Sequence, residues 1–157
     1  MRELKFRACI NPATTIYFTL QDLVNPNPLF SIRELLIPWL RAGSKPDEWT
    51  GLHDKNGVEI YEGDILSFKS MTIHKEPYEI RYKVCWGLFD NNEEYEDAER
   101  GCGIYLTTII NLLKGEERFP EYKGKIYNYE SYHGLDNLEV IGNIYSNPEL
   151  LNEQGKG

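Results

Sequence analysis

Hydrophobic and polar positions alternate two by two along most of this chain and take up a helical spacing over one long segment. At the N-terminus Leu4, Phe6 and Ala8 share one side of an alternating run, with Glu3, Lys5 and Arg7 on the other. That pattern predicts a strand with a solvated polar face. Asn11-Pro12 breaks it, and Ile16-Tyr17-Phe18-Thr19-Leu20 is a β-prone run suited to pair back as a hairpin. Ile65-Leu66-Ser67-Phe68 and Gly103-Ile104-Tyr105-Leu106 are further strands, and Ser70 to Pro77 is a loop carrying His74. The longest clean alternation sets Tyr78, Ile80, Tyr82, Val84 and Trp86 against Glu79, Arg81, Lys83 and Cys85, and predicts the central strand. Leu138 to Tyr145 is a last strand, in which Gly142 marks a bulge.

The helical spacing falls at Ile32, Leu35, Leu36, Trp39 and Leu40. Ser31 and Glu34 form a capping-box signature before it, and Gly43 is placed to cap its end. Pro38 lies inside and predicts a kink or an early stop, because its ring removes a backbone hydrogen bond. The apolar face has two uses: packing on the sheet of its own subunit, or contact with a second copy. Upstream, Asn25-Pro26-Asn27-Pro28 is a loop. Thr108 to Leu113 fits a short helix ended by Gly115, or a strand, since its β-branched residues favour the latter. Asn147-Pro148-Glu149-Leu150-Leu151 predicts a short terminal helix with Asn147 as its cap.

Thr50 to Leu66 is the best-specified local structure. Asn56-Gly57 predicts a two-residue type I′ hairpin turn, followed by alternating Val58, Glu59 and Ile60, and Gly63-Asp64 is a second break. Turns this close leave room only for short strands, as in a small, sharply curved sheet or barrel.

Composition narrows the class. A chain of 157 residues with 41% hydrophobic and 13% aromatic content can build a real core. No apolar run approaches membrane-spanning length, and the charged N-terminus lacks a secretion-signal core. Cys9, Cys85 and Cys102 are odd in number and widely spaced. Together these predict a cytoplasmic protein whose cysteines are small packing residues. The net charge of −8 opposes nonspecific binding to polyanions while leaving room for a local basic patch or for nucleic-acid mimicry.

Catalytic and ligand constellations fall short. Asp54, Glu62 and Asp64 lie close in sequence but lack the order of a calcium loop, and read as turn and strand-edge residues. Asp90 to Glu99 carries six acids and no base, which predicts an exposed loop. His53, His74 and His133 have no metal-ligand spacing, and Gly101-x-Gly103 completes neither a dinucleotide fingerprint nor a P-loop. Arg81 and Lys83 make one strand face locally basic, next to Tyr and Trp. Tyr122, Tyr127, Tyr129 and Tyr132 belong to an irregular segment that covers the barrel or lines a groove. No residue is assigned a catalytic, cofactor-binding or metal-binding role.

Three segments carry a family resemblance: Met1 to Ala8, Thr50 to Ile65, and Leu138 to Tyr145 with Asn147 to Leu151. In that order they resemble the YopX family of small bacteriophage and prophage proteins. Cys9 and His53 depart from the family pattern, in which an aromatic residue and a lysine are usual. The resemblance implies an α+β, mainly β fold: a small SH3-like, partly open barrel with an N-terminal strand and helix portion and a short C-terminal helix. The expected organisation is one domain over 1–152, divided into 1–47 and a barrel portion 48–152, with a frayed tail at 153–157. The resemblance also implies a phage gene product in a bacterial cytoplasm that associates with itself, and it supplies no catalytic residues. The leading reading is therefore a non-enzymatic accessory protein without cofactors, acting by contact with itself or with a host or phage protein. A small-barrel nucleic-acid-binding or nucleic-acid-mimicking module is the alternative, and a carboxylate-based metal-dependent enzyme comes third.

Overall fold

The structure, a computed structural model, describes residues 4–24, 32–71, 77–90, 100–111, 123–125 and 137–152. The 25–28 loop, the Ser31 cap, His74, His133, the acidic run over 91–99, the four tyrosines between 122 and 132, and the tail over 153–157 lie outside the described residues.

The fold is mainly β, as expected, with its larger sheet curled into a partly open barrel. β1 (Lys5–Asn11) and β2 (Thr14–Thr19) form the predicted hairpin. With β3 (Asp47–His53) and β4 (Glu59–Tyr61) they make a sheet in the order β2-β1-β3-β4. β5 (Asp64–Met71), β6 (Pro77–Asp90), β7 (Arg100–Asn111), β8 (Lys123–Lys125) and β9 (Leu138–Asn143) make a second sheet in the order β8-β7-β6-β5-β9. β6 is its middle strand, as the long alternation predicts.

There are two buried clusters, and Ile60 of β4 joins the one inside the barrel. Ile60, Leu66, Phe68, Ile80, Tyr82, Val84, Leu106 and Leu138 fill the barrel. Ala8, Phe18 and Leu36 centre the other, joined by Phe6, Ile16, Ile32 and Trp39, and the Phe6 and Phe18 rings stack at 5.6 Å. The second cluster lies between the β1–β2 hairpin and two helices, α1 (Leu20–Val24) and α2 (Ile32–Arg41). α1 replaces the predicted strand end at Leu20. The Asp22 carboxylate accepts from both the amide and the hydroxyl of Thr19, and this turns the chain into a helix.

Several local expectations change. Pro38 does not stop α2, which continues to Arg41, because Pro38 lies on the exposed side, where water can take the carbonyl it frees. The helix ends at Gly43, φ 86°, in a full Schellman motif: Ser44 donates to Trp39 and Gly43 to Leu40. The Asn56-Gly57 turn is a three-residue loop rather than a type I′ turn. Asp54 donates its amide to Val58 O at 2.8 Å, Gly57 donates to Asp54 O at 3.0 Å, and Gly57 takes φ 80°. Val58 is exposed, while Ile60 and Tyr61 are both buried, on opposite faces of β4. Thr108 to Asn111 is strand, not helix, because its β-branched residues stay in the ladder to β6, with a bulge at Ile109. The terminal helix is a 3₁₀ turn over Pro148–Leu151, and the Asn147 side chain makes no capping bond to it. Instead Asn147 Oδ1 accepts from the amide of Asn143. Gly142 does mark a bulge: Ile65 pairs with Gly142 and Leu66 with Val140, so Ile141 is the extra residue.

Candidate functional site

The most concentrated polar structure is where β1 meets the barrel. Alternation assigns Arg7 to a solvated face, yet Arg7 is buried. The reason lies in the sheet order. β1 pairs with β3, so Arg7 stands opposite Asp47 and its side chain reaches the start of β5. Nε and Nη2 donate to Asp47 Oδ2 at 3.0 and 2.9 Å, Nη2 also donates to Glu62 O at 2.9 Å, and Nη1 donates to Asp64 Oδ1. The guanidinium lies 5.1 Å from the centre of the Tyr61 ring. Asp64 Oδ2 accepts from the Tyr61 amide, and Asp47 Oδ1 accepts from the Tyr145 hydroxyl at 3.0 Å. One cation thus faces two buried carboxylates. Burial pushes Asp64 up to about 6 even though Arg7 pulls the other way. Burial likewise raises Asp47 against the pull of Arg7. Burial opposes the charge on Arg7, but Asp64 and Asp47 outweigh it and hold the guanidinium firmly protonated.

Asp54, Glu62 and Asp64 therefore do not form a cluster. Asp64 stands at the edge of β5 as read, and is in addition a buried ion-pair partner, while Glu62 contributes its carbonyl to Arg7. Asp54 organises the turn and ties it to the end of the chain. Its Oδ1 accepts from the amides of Asn56 and Val58 at 2.7 and 2.9 Å, and its Oδ2 accepts from Val140 at 3.0 Å. Burial raises its pKa, but these three amides outweigh that and hold it low. Among the described residues, no group of three His, Cys, Asp or Glu side chains is placed to hold a metal ion.

His53 is exposed, with its ring edge-on to Trp49. Cys9 and Cys85 are half-buried free thiols, and burial pushes Cys9 up, away from the thiolate. Cys102 is in β7, and its side chain lies outside the described ones. On the outer face of β6, Arg81 is held by Glu79, which also accepts from Ser67. Lys83 stands opposite Thr107, whose backbone pairs in turn with Lys123.

A second feature is apolar. Phe6, Phe18, Leu23, Leu36, Leu40 and Pro46 line a groove of about 340 Å³ beside α2. Leu20, Ile37 and Leu40 in its lining are exposed, and Val24, at 73%, and Leu35 are exposed elsewhere on α1 and α2. The helical spacing foretold this face, and the described residues cover only part of it. Among the described residues, no helix is long and apolar enough to cross a membrane.

A partly open barrel, an N-terminal hairpin clamped to it through Arg7 and a layer of two helices define a small, mainly β protein. The profile of one family, described as YopX protein, matches residues 47–152, and the chain belongs to that family. No curated protein matches the chain. The matched stretch begins at Asp47, so Asp47, Asp54, Asp64 and Tyr145 lie inside it and Arg7 lies outside.

Proposed function

We propose that this is a non-enzymatic phage or prophage accessory protein of the bacterial cytoplasm that works by protein–protein contact as a homo-oligomer. The observation that carries the reading is the apolar surface that the described residues leave exposed on α1 and α2. Leu20, Ile37 and Leu40 stand exposed in the lining of an apolar groove, and Val24 and Leu35 elsewhere on the same helices, in a strongly acidic chain. Single exposed apolar residues are ordinary, whereas several of them lining one apolar groove mark a contact surface. Light scattering across a wide concentration range tests it: the expected mass is a multiple of the 18.3 kDa chain. A monomer at every concentration would sink the reading.

The outer face of β6 favours a second reading, binding of single-stranded nucleic acid. Lys83, Thr107 and Lys123 stand in one cross-strand row, and Tyr105 pairs with Lys125 beside it. Phosphate contacts by these lysines would give an affinity that falls with salt. A labelled oligonucleotide titrated at several salt concentrations, with and without Lys83→Glu, checks this, and no binding at low salt rejects it.

A further inference from the structure

β2 is an edge strand without the usual protection. Its sequence is Thr-Thr-Ile-Tyr-Phe-Thr, with no charge and no proline, in a chain that is 27% charged. Among the described residues nothing pairs with its outer side, and Tyr17 is 60% exposed. Natural sheets blunt their edges with short strands, bulges, charges or proline. The other three edges here follow that rule. β4 and β8 have three residues each, while β9 is bulged and carries Glu139 paired to Lys55.

We propose that β2 pairs antiparallel with β2 of a second copy, centred on Tyr17, so that the two β2-β1-β3-β4 sheets run on as one. This rests on the self-association reading above and adds the β2 edge, next to the exposed α1–α2 surface, as a contact between copies. A two-fold axis normal to the sheet keeps the faces of both copies aligned, and a slip of one residue would reverse them. In that register Tyr17 meets the partner's Tyr17, Ile16 meets the partner's Phe18, and Thr15 meets the partner's Thr19. Each is a favourable cross-strand pair, and none sets like charges together. Ile16 belongs to the helix-covered cluster, so its contact with the partner's Phe18 extends that cluster across the axis. Both helix layers then lie on the same side of the joined sheet. Asp22, which takes the Thr19 amide, closes the strand at that end and leaves the middle for pairing. A second copy suits this edge better than a foreign strand because the sequence is complementary to itself at every pair. Two copies of net charge −8 repel at long range, and the uncharged β2 adds nothing to that repulsion.

The test uses the full chain with three substitutions: Tyr17→Lys, Thr15→Lys and Leu40→Glu. Residues 15 and 17 are exposed, but the Tyr17 ring also meets the Tyr61 ring edge-on at 5.5 Å, so Thr15→Lys is the cleaner of the two, and circular dichroism and urea unfolding check that both variants keep the fold. Light scattering should show the wild type assembled, with the dimer Kd raised at least about tenfold by Tyr17→Lys, which sets two ammonium groups on the axis. Tyr17→Cys in a Cys9→Ser background should give, on mild oxidation, a disulfide-joined peptide that links the two copies through the thiol introduced on the axis. If the wild type assembles and both lysine variants assemble equally well, edge pairing is overturned while self-association stands; loss through Leu40→Glu alone would move the contact to the groove. A wild type that stays monomeric overturns both.

Discussion

Arg7 sets two of its nitrogens, Nε and Nη2, on one oxygen of Asp47, at 3.0 and 2.9 Å. Its remaining terminal nitrogen goes to Asp64. A single side chain from the hairpin thereby joins the first residue of β3 to the first residue of β5. The two hydrophobic clusters share no buried residue, so this hub and the short β1–β3 ladder join the hairpin to the barrel.

Arg7→Met should be among the most damaging single substitutions. It leaves Asp47 and Asp64 buried without a cation, a loss of roughly 3–5 kcal/mol in denaturant unfolding. Arg7→Lys should recover little, because an ammonium cannot reproduce the fork that serves Asp47, Asp64 and Glu62 O together. Lys5→Met removes the exposed pair with Glu59, whose side chains are 29% and 30% accessible, and should cost under about 1 kcal/mol. Equal losses from Arg7→Met and Lys5→Met would refute the hub.

The same cluster fixes a pH dependence. Asp64 moves from the ordinary 3.8 to about 6, so the folded state holds this proton more tightly than the unfolded chain. Its contribution is complete below about 4 and is lost as pH rises through 6. Asp47 and Glu62, both raised chiefly by burial, act in the same direction. The opposite set is held low: Glu59 by Lys5, and Asp54 and Glu79 by hydrogen bonds that outweigh burial. Their contribution is present above the ordinary carboxylate range and lost as pH falls. Stability should therefore peak in mild acid and decline toward neutrality, by at most about 1.4 kcal/mol per pH unit per proton. Asp64→Asn should flatten the decline between pH 4 and 6. An unchanged slope in that variant would assign the dependence elsewhere.

The parts read correctly from the sequence are those set by local rules. The β1–β2 hairpin, the central β6, the Gly43 cap and the Gly142 bulge each follow from alternation or from a residue with special backbone freedom. The misread parts depend on neighbours remote in sequence. Arg7 looks solvated until β1 is placed beside β3, and Asp64 looks like no more than an edge residue until Arg7 reaches it across 57 positions. Asp47 falls at the end of the expected N-terminal portion, yet it starts β3. An arginine at a hydrophobic strand's polar position gives no local sign that its partners await 40 positions away.

Asp54 offers a sharp test, because Asx turns usually accept Asn in place of Asp. Here both carboxylate oxygens accept amides: Oδ1 from Asn56 and Val58, Oδ2 from Val140. Asn would turn an NH₂ toward the Val140 N–H, donor against donor. Asp54→Asn should therefore cost nearly as much as Asp54→Ala, about 1–3 kcal/mol by thermal or urea unfolding. A nearly neutral Asn variant would mean that the link to β9 contributes little.

Gly142 sits where no side chain fits. A Cβ there would lie well inside van der Waals contact of Asn147 Oδ1, and 3.0 Å from Leu150 Cδ1. The backbone φ of 158° adds strain for an L-residue. Gly142→Ala should push the 3₁₀ turn off the bulge and destabilise the protein by roughly 1–3 kcal/mol. The obstacle closest to that Cβ is a side chain, so Asn147→Ala should relieve part of the loss despite removing the bond from the Asn143 amide. A double-mutant cycle in urea unfolding measures this, with a coupling of at least about 0.5 kcal/mol expected in the rescuing direction. Strict additivity would show that backbone strain at φ 158°, rather than crowding by Asn147, excludes every other residue from this position.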